Sequence, residues 1–496
     1  MVWVPDISLG EMRANLAWNG PELYIGTDGE RLVWGGPQQA VLVLGPPRSG
    51  KTSTLVVPNV LAAPGPVVVT STKPDILRAT MASRSLLGRC WLFDPSGTTE
   101  PPLGVNVLRW SPVAGSTSWE EALVTAKVMA ASARPGGYLG ESAHWTERAE
   151  ALLAPLLHAA ALRQAGMREV LAWVLRQDLY NPKAVLDAEG AGVASDVLAG
   201  IISTEDRERS GILSTTAGVL GAYRSERALD AADEPNFDPS RFPAGSDTVY
   251  ICAPARYQTL TAPVAVAFLE QLRAATYRDA SRGHLRLPVT LVLDEVANIA
   301  PLPDLPAVVS EGGGQGLLTL ACLQDLSQAR GRWGQAAEGF FSLFGTKVVL
   351  AGIGDMRTLD AVSRLCGQVD VPVRSVNASA WWSGRPSAST TWSWRRQARL
   401  PVDQARSLPV GCALVLAGAK RPRLAGLTPW WAYPPFSEAL SLPSPVITPP
   451  EPPPVQRRGQ PLPPSPPAGT KRSDNVPVDW RRVKGHRRLH PPPPRL

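Results

Sequence analysis

Gly45-Pro46-Pro47-Arg48-Ser49-Gly50-Lys51-Thr52 spaces two glycines, a lysine and a hydroxyl residue as a phosphate-gripping loop requires, with Ser53 next in line. Glycines at both ends let backbone N–H groups turn inward on a polyphosphate. A lysine at 51 reaches the β and γ phosphates, and a threonine hydroxyl at 52 can ligate Mg²⁺. The chemistry implied is that of ATP with Mg²⁺. The apolar run 40–44 leads into the loop as a strand, and residues 52–61 follow as a helix whose positive end faces the same anion. Pro58 falls inside that helix, where it removes a donor and crowds the preceding turn.

Such a loop needs carboxylates opposite it, and the apolar strand 289–293 ends in Asp294 and Glu295. Asp294 could hold Mg²⁺, through water or together with Thr52. Glu295, one residue on and facing the other way, could polarise an attacking water. Without the loop, the same two residues read as solvated acids closing a buried strand. A third apolar strand, 316–322, ends close to Gln324. That side chain either touches the γ-phosphate and senses its loss or is an ordinary strand-end glutamine.

Positioning these groups takes a parallel sheet covered by helices. Strand patterns at 65–70 and 90–93 alternate with a helix at 75–87, and patterns resume at 248–252, 289–293, 316–322 and 346–350, with a long helix over 262–277. From 119 to about 227 helical spacing dominates, with Trp145, Ala149, Leu152, Leu153, Leu156 and Leu157 on one face. The plan is an N-terminal segment 1–36, an α/β nucleotide-binding domain in two parts (37–110 and 241–430) split by an all-α domain (111–240), and a tail from 431 to 496.

At 496 residues with 44% apolar content, the chain has room for two or three packed domains. Its five cysteines are scattered without metal-ligand spacing and lie mostly in apolar runs, as core thiols of a reducing compartment do. No stretch approaches 18 consecutive apolar residues, so the expectation is a cytoplasmic chain with no membrane span of its own. The formal charge of +7 belongs entirely to residues 451–496, with ten Lys or Arg against three acids. Prolines crowd the same stretch, which predicts a disordered basic arm able to meet nucleic acid or acidic lipid by charge neutralisation, or simply to solubilise the chain. Trp381, Trp382, Trp392 and Trp394 lie in a Ser-rich run with Arg395 and Arg396. We read a loop whose tryptophans pack on the sheet, the alternative being a platform for single-stranded bases.

Several stretches, taken in order, resemble the TraG/TraD-type conjugative coupling proteins, ATPases of type IV secretion related to FtsK and HerA. They are PPRSGKTSTLVVPNVL with Pro58 and Asn59, VVVTSTKPDIL, FDPSG followed by Asn106, His144-Trp145, SGILSTTAGVL, TVYICAP, and LDEVANIAPLPDLPAVVSEGGGQGLLTLACLQDLSQARGRWG. Residues 363–367, the Ser-rich run and LPVGCALVLAG resemble the family's last strands. The resemblance implies a RecA-like P-loop NTPase fold and a homo-hexameric ring with ATP between subunits. It also implies DNA as cargo, single-stranded and bound to a relaxase, and type IV secretion components as partners. An arginine of the neighbouring subunit is expected to complete each site, with Arg207, Arg209, Arg330 and Arg332 as candidates; each is otherwise a solvated surface arginine.

Coupling proteins of this type commonly open with membrane-spanning helices, whereas here the loop begins 44 residues in with no apolar span before it. The expectation is therefore recruitment to the inner face of the membrane by a separate anchor protein, or work away from a channel. Two other functions fit the same residues. One is a substrate receptor that uses ATP as an assembly switch, against which Glu295 counts because a switch has little need of a base. The other is an FtsK- or HerA-like DNA pump with no secretion partner, which a relaxase gene alongside would count against.

Overall fold

The computed structural model of the chain describes residues 21–29, 31–133, 141–378 and 388–438, all within the first of two compact units, residues 1–446. The second unit, residues 447–496, lies outside the described residues, and with it nearly all of the proline-rich basic tail; so do Trp381 and Trp382.

The strands, in chain order, are β1 (Tyr24–Asp28), β2 (Arg31–Trp34), β3 (Val41–Leu44), β4 (Val67–Ser71), β5 (Cys90–Phe93) and β6 (Asn106–Val107), then β7 (Thr248–Cys252), β8 (Val289–Leu293), β9 (Leu317–Leu323), β10 (Thr346–Leu350), β11 (Gln368–Ala378), β12 (Ala388–Ala398), β13 (Cys412–Ala417) and β14 (Arg423–Gly426). Twelve of them form one sheet in the order β2-β1-β14-β13-β10-β3-β9-β8-β4-β7-β5-β6, and β11 pairs only with β12. From β10 to β6 every pairing is parallel, and from β10 through β13, β14 and β1 to β2 every pairing is antiparallel.

The apolar runs explain the parallel half. β3, β4, β5, β7, β8 and β9 are buried along their whole length, as strands covered on both faces must be. The two-residue period sorts their side chains. Leu42 and Leu44 enter one core with Phe93, Trp110 and Phe268, while Val41 and Val43 enter the other with Leu55, Val60 and Val69. Between β6 and β7 the described chain is helical, including Trp119–Ala133, Glu141–Leu162 and Asp206–Val219. The face read from spacing is the buried one: Ala149, Leu152, Leu153, Leu156 and Leu157 are all fully buried. These residues belong to the same apolar cluster as Phe93 and Phe268, so the helices share a core with one face of the sheet.

Three expectations need correction. The described part of the segment 1–36 is not separate from the α/β domain, since β1 and β2 extend its sheet; residues 1–20 lie outside the described residues. The tail does not begin at 431: Trp430–Ala432 and Pro434–Glu438 are helical turns, and Phe436 is buried against Tyr24 with ring centroids 5.3 Å apart. Finally, Trp392 and Trp394 do not pack on the sheet. They stand on β12, opposite Arg374 and Pro372 of β11, and are 65% and 75% exposed. All five cysteines are free thiols, four of them buried. Among the described residues no helix is long and apolar enough to cross a membrane, and no cluster of three His, Cys, Asp or Glu could hold a metal ion.

Candidate functional site

The loop leaves the end of β3 between two parallel neighbours, β9 and β10. Gly45 donates its N–H to Leu323 O at 3.1 Å, which ties the start of the loop to the end of β9. A Cβ at Gly45 would lie 2.7 Å from Ser49 Oγ and 3.0 Å from Leu350 Cβ, so only glycine lets the loop close so near β10. Gly50 has φ +92°, and Arg48 takes the left-handed region at φ +62° without being glycine. These turns fold the loop back on itself.

Lys51 is 7% exposed and donates through Nζ to Gly45 O at 2.5 Å and Pro46 O at 3.0 Å, so the ammonium sits inside the ring of loop carbonyls. Ser49 Oγ is buried and has no hydrogen-bond partner. An orphaned hydroxyl beside a buried ammonium, in a loop that only glycine can close, fits a polyphosphate oxygen as the missing partner.

After the loop the chain enters a π-helical turn, Thr52–Val56, in which Val57 N–H reaches back to Thr52 O, and then the α-helix Val57–Ala62. The wide turn accounts for Pro58. A regular α-helix would set its ring against the carbonyl of the preceding turn, and the π-bulge moves that carbonyl aside. Asn59 fixes the helix to β1: Oδ1 accepts from Tyr24 N–H at 2.9 Å, and Nδ2 donates to Tyr24 O at 2.9 Å and Leu55 O at 2.8 Å.

Across the cleft, β8 delivers the carboxylates. Thr52 Oγ1 donates to Asp294 Oδ2 at 2.9 Å, joining residues 242 positions apart. Thr70 of β4 donates to Asp294 O at 2.6 Å. Burial pushes the Asp294 carboxyl up to about 6, and the neighbouring Glu295 charge adds to this; the Thr52 hydroxyl and the Lys51 ammonium pull the other way. Glu295 has left-handed backbone, φ 54° and ψ 44°, which costs a non-glycine residue roughly 1 kcal/mol or more and turns the second carboxylate away from the line of the first. Its Oε2 accepts from Asn298 Nδ2 at 3.2 Å.

These groups meet in a cleft of about 680 Å³ lined by loop residues 47–53, Asp294 and Glu295. Gln324 does not line it. That residue follows β9 in the chain, between the loop strand and the carboxylate strand, and its backbone N–H donates to Gln328 Oε1 at 3.0 Å. The cleft also takes in Lys73 and Asp75 after β4, and Trp430 and Trp431 after β14. Lys73 stood within the quoted STKPDIL stretch. The tryptophan pair had no signal that could have placed it here, because it falls next to the proline-rich sequence and far from either motif.

Comparison with known proteins agrees with this geometry. A family model described as "Type IV secretory system Conjugative DNA transfer" matches residues 11–419. A probable conjugal transfer protein TraG from Sinorhizobium fredii (strain NBRC 101917 / NGR234) is 24% identical over 347 residues, covering 66% of this chain and 52% of the relative. The chain thus spans about half the length of that curated relative. Among solved structures, the bacterial conjugative coupling protein TrwBdeltaN70 in its unbound monoclinic form superposes with TM-score 0.62 at 18% identity, over 85% of this chain and 91% of that one. The plasmid coupling protein TrwB in complex with ADP and Mg²⁺ superposes with TM-score 0.60 at 17% identity, over 85% and 92%. The fold is therefore that of these coupling-protein structures, an α/β fold built on one large, largely parallel sheet. Because the family model runs through the loop, the helical stretch and the carboxylate strand alike, this chain belongs to the conjugative DNA transfer family of type IV secretory systems.

Proposed function

We propose that the chain is an ATP-hydrolysing coupling protein that moves DNA, with bound protein, toward a type IV secretion channel. The observation that carries this reading is the Thr52 to Asp294 contact at 2.9 Å, with Glu295 held in strained backbone one residue on. A loop that only bound nucleotide would have no use for a second carboxylate held at that cost. Family membership supplies the direction of the work, conjugative DNA transfer.

In this reading the backbone N–H groups of the loop from Arg48 to Lys51 bind the β and γ phosphates, since Pro46 and Pro47 have none and Gly45 spends its own on Leu323 O, and Lys51 exchanges its loop carbonyls for phosphate oxygens. Thr52 and Asp294 hold Mg²⁺, which supplies neutralising charge for the developing transition state. Glu295 orients the attacking water and takes its proton. Gln324 keeps the part of a γ-phosphate sensor only if it turns into the cleft when nucleotide is bound. The chains act as a homo-hexamer with single-stranded DNA and a relaxase as cargo, at the cytoplasmic face of the membrane, and an arginine from the neighbouring subunit completes each site.

The test is ATP hydrolysis by the purified chain with and without single- and double-stranded DNA. Turnover stimulated by DNA, and reduced at least about 100-fold by Lys51→Ala and by Glu295→Gln, is the expected result. Nucleotide binding with no turnover under any DNA condition would favour a receptor that uses ATP as an assembly switch.

A further inference from the structure

Trp430 and Trp431 line the same cleft as the phosphate loop, yet nothing in the loop or carboxylate chemistry uses them. They belong to the short turn Trp430–Ala432 that follows β14. Trp430 is partly buried against the core shared by β1, β3 and the helix after the loop, so its ring is anchored. Trp431 is 57% exposed. The two rings stand at 86° with centroids 5.4 Å apart, which makes a corner with an apolar floor and an apolar wall.

Sheet order says which end of a nucleotide reaches that corner. The loop strand β3 has β9 and β8 on one side and β10, β13 and β14 on the other. Asp294 and Glu295 end β8, so a triphosphate whose γ-phosphate faces them points its other end toward β14. Of the residues that line the cleft, the tryptophans are the ones that leave the end of β14 in the chain. We propose that Trp430 and Trp431 are the base-binding subsite, a platform on which the purine ring of a nucleotide stacks. The inference rests on the P-loop reading of the same cleft.

Stacking uses the face of a base and leaves its hydrogen-bonding edge unread, so this subsite favours a nucleoside over bare phosphate without choosing strongly between adenine and guanine. The discriminating experiment is calorimetric titration of the full chain, in the presence of Mg²⁺, with ADP, GDP and inorganic tripolyphosphate. Trp431→Ala should weaken both nucleotides by about tenfold and leave tripolyphosphate unchanged, and Trp431→Phe should keep most of the wild-type affinity. Because Trp431 is the exposed member of the pair, its removal does not open the core. Equal losses for tripolyphosphate and ADP, or no loss for either nucleotide, would overturn the inference. If the wild-type chain binds tripolyphosphate and gains nothing from a nucleoside, the subsite fails while the P-loop reading stands. If the wild-type chain binds none of the three, both fail.

Discussion

Asp294 works against the stability of the protein that holds it. Its carboxyl ordinarily loses its proton near 3.8, and burial moves that to about 6 in the folded chain. Unfolded chains therefore ionise first as pH rises, and stability falls between about pH 4 and pH 6, leaving a constant penalty above. A shift of about two units corresponds to at most about 3 kcal/mol. Asp294→Asn removes the ionisation and keeps an oxygen for the Thr52 hydroxyl. Its expected effect in magnesium-free buffer is a gain of about 1–3 kcal/mol near pH 7.5 that vanishes near pH 4, and in separate assays with Mg²⁺ turnover is lost. Urea denaturation at the two pH values checks this, and a variant less stable than wild type near pH 7.5 would contradict it. At this scale much of the site was legible. Gly45, Gly50, Lys51 and Thr52 have the spacing that a phosphate-gripping loop would require, and an apolar strand ending in two acids has few uses beside such a loop. Gln324 was harder, because which way a strand-end side chain turns depends on the loop that follows. Trp430 and Trp431 come from the far end of the chain, and only the folded sheet brings them to the cleft.

Elements explain residues that local rules make awkward. Pro58 and Asn59 look like poor choices for a helix interior, yet the π-turn accommodates the one and β1 employs the other. Asn59 satisfies both backbone groups of Tyr24 in a site where Asn59 itself is 2% exposed. Asn59→Ala leaves that N–H and C=O buried without partners, and each costs about 1–3 kcal/mol. A loss of about 2–4 kcal/mol in urea denaturation is expected, with nucleotide affinity reduced because the helix carrying Thr52 loses its tie to the sheet. A loss below about 1 kcal/mol would mean that water or a backbone shift replaces the side chain. The same scale shows which parts of the fold a sequence exposes. β4, β8 and β9 are buried on both faces and so appear as unbroken apolar runs. β2 and β14 are four residues long with one buried residue each, and their place in the antiparallel part of the sheet is set by long-range pairing that no local pattern encodes. β11 and β12 pair only with each other, so no core demanded apolar alternation from them. Trp392 and Trp394 could therefore be found on an exposed hairpin where packing on the sheet was expected.

The whole molecule bears on which arginine could act beyond its own chain. An arginine that completes a neighbour's site must have its guanidinium free at the surface. Three of the four candidates are engaged at home. Arg209 donates to Ile202 O at 2.8 Å and Thr204 O at 2.9 Å and pairs with Asp206. Arg330 pairs with Asp355 at 2.8 Å. Arg332 donates to Ser132 O at 2.6 Å, and burial pushes its guanidinium down to about 10. The Arg207 side chain is exposed and forms no hydrogen bond or ion pair among the described residues. Replacing each with alanine should therefore divide them. Arg209→Ala and Arg330→Ala lower stability by about 1 kcal/mol or more, because they strip partners from carbonyls and from a carboxylate. Arg207→Ala leaves stability and nucleotide affinity unchanged and lowers DNA-stimulated turnover by about 100-fold or more. Mixing the Arg207→Ala chain with the Lys51→Ala chain then restores part of the turnover. In the ring proposed above, such a mixture would set an intact nucleotide site on one subunit against an intact arginine on the next. Full turnover by Arg207→Ala alone would remove it from this role, and failure of the mixture to recover would mean that Arg207 acts within its own subunit.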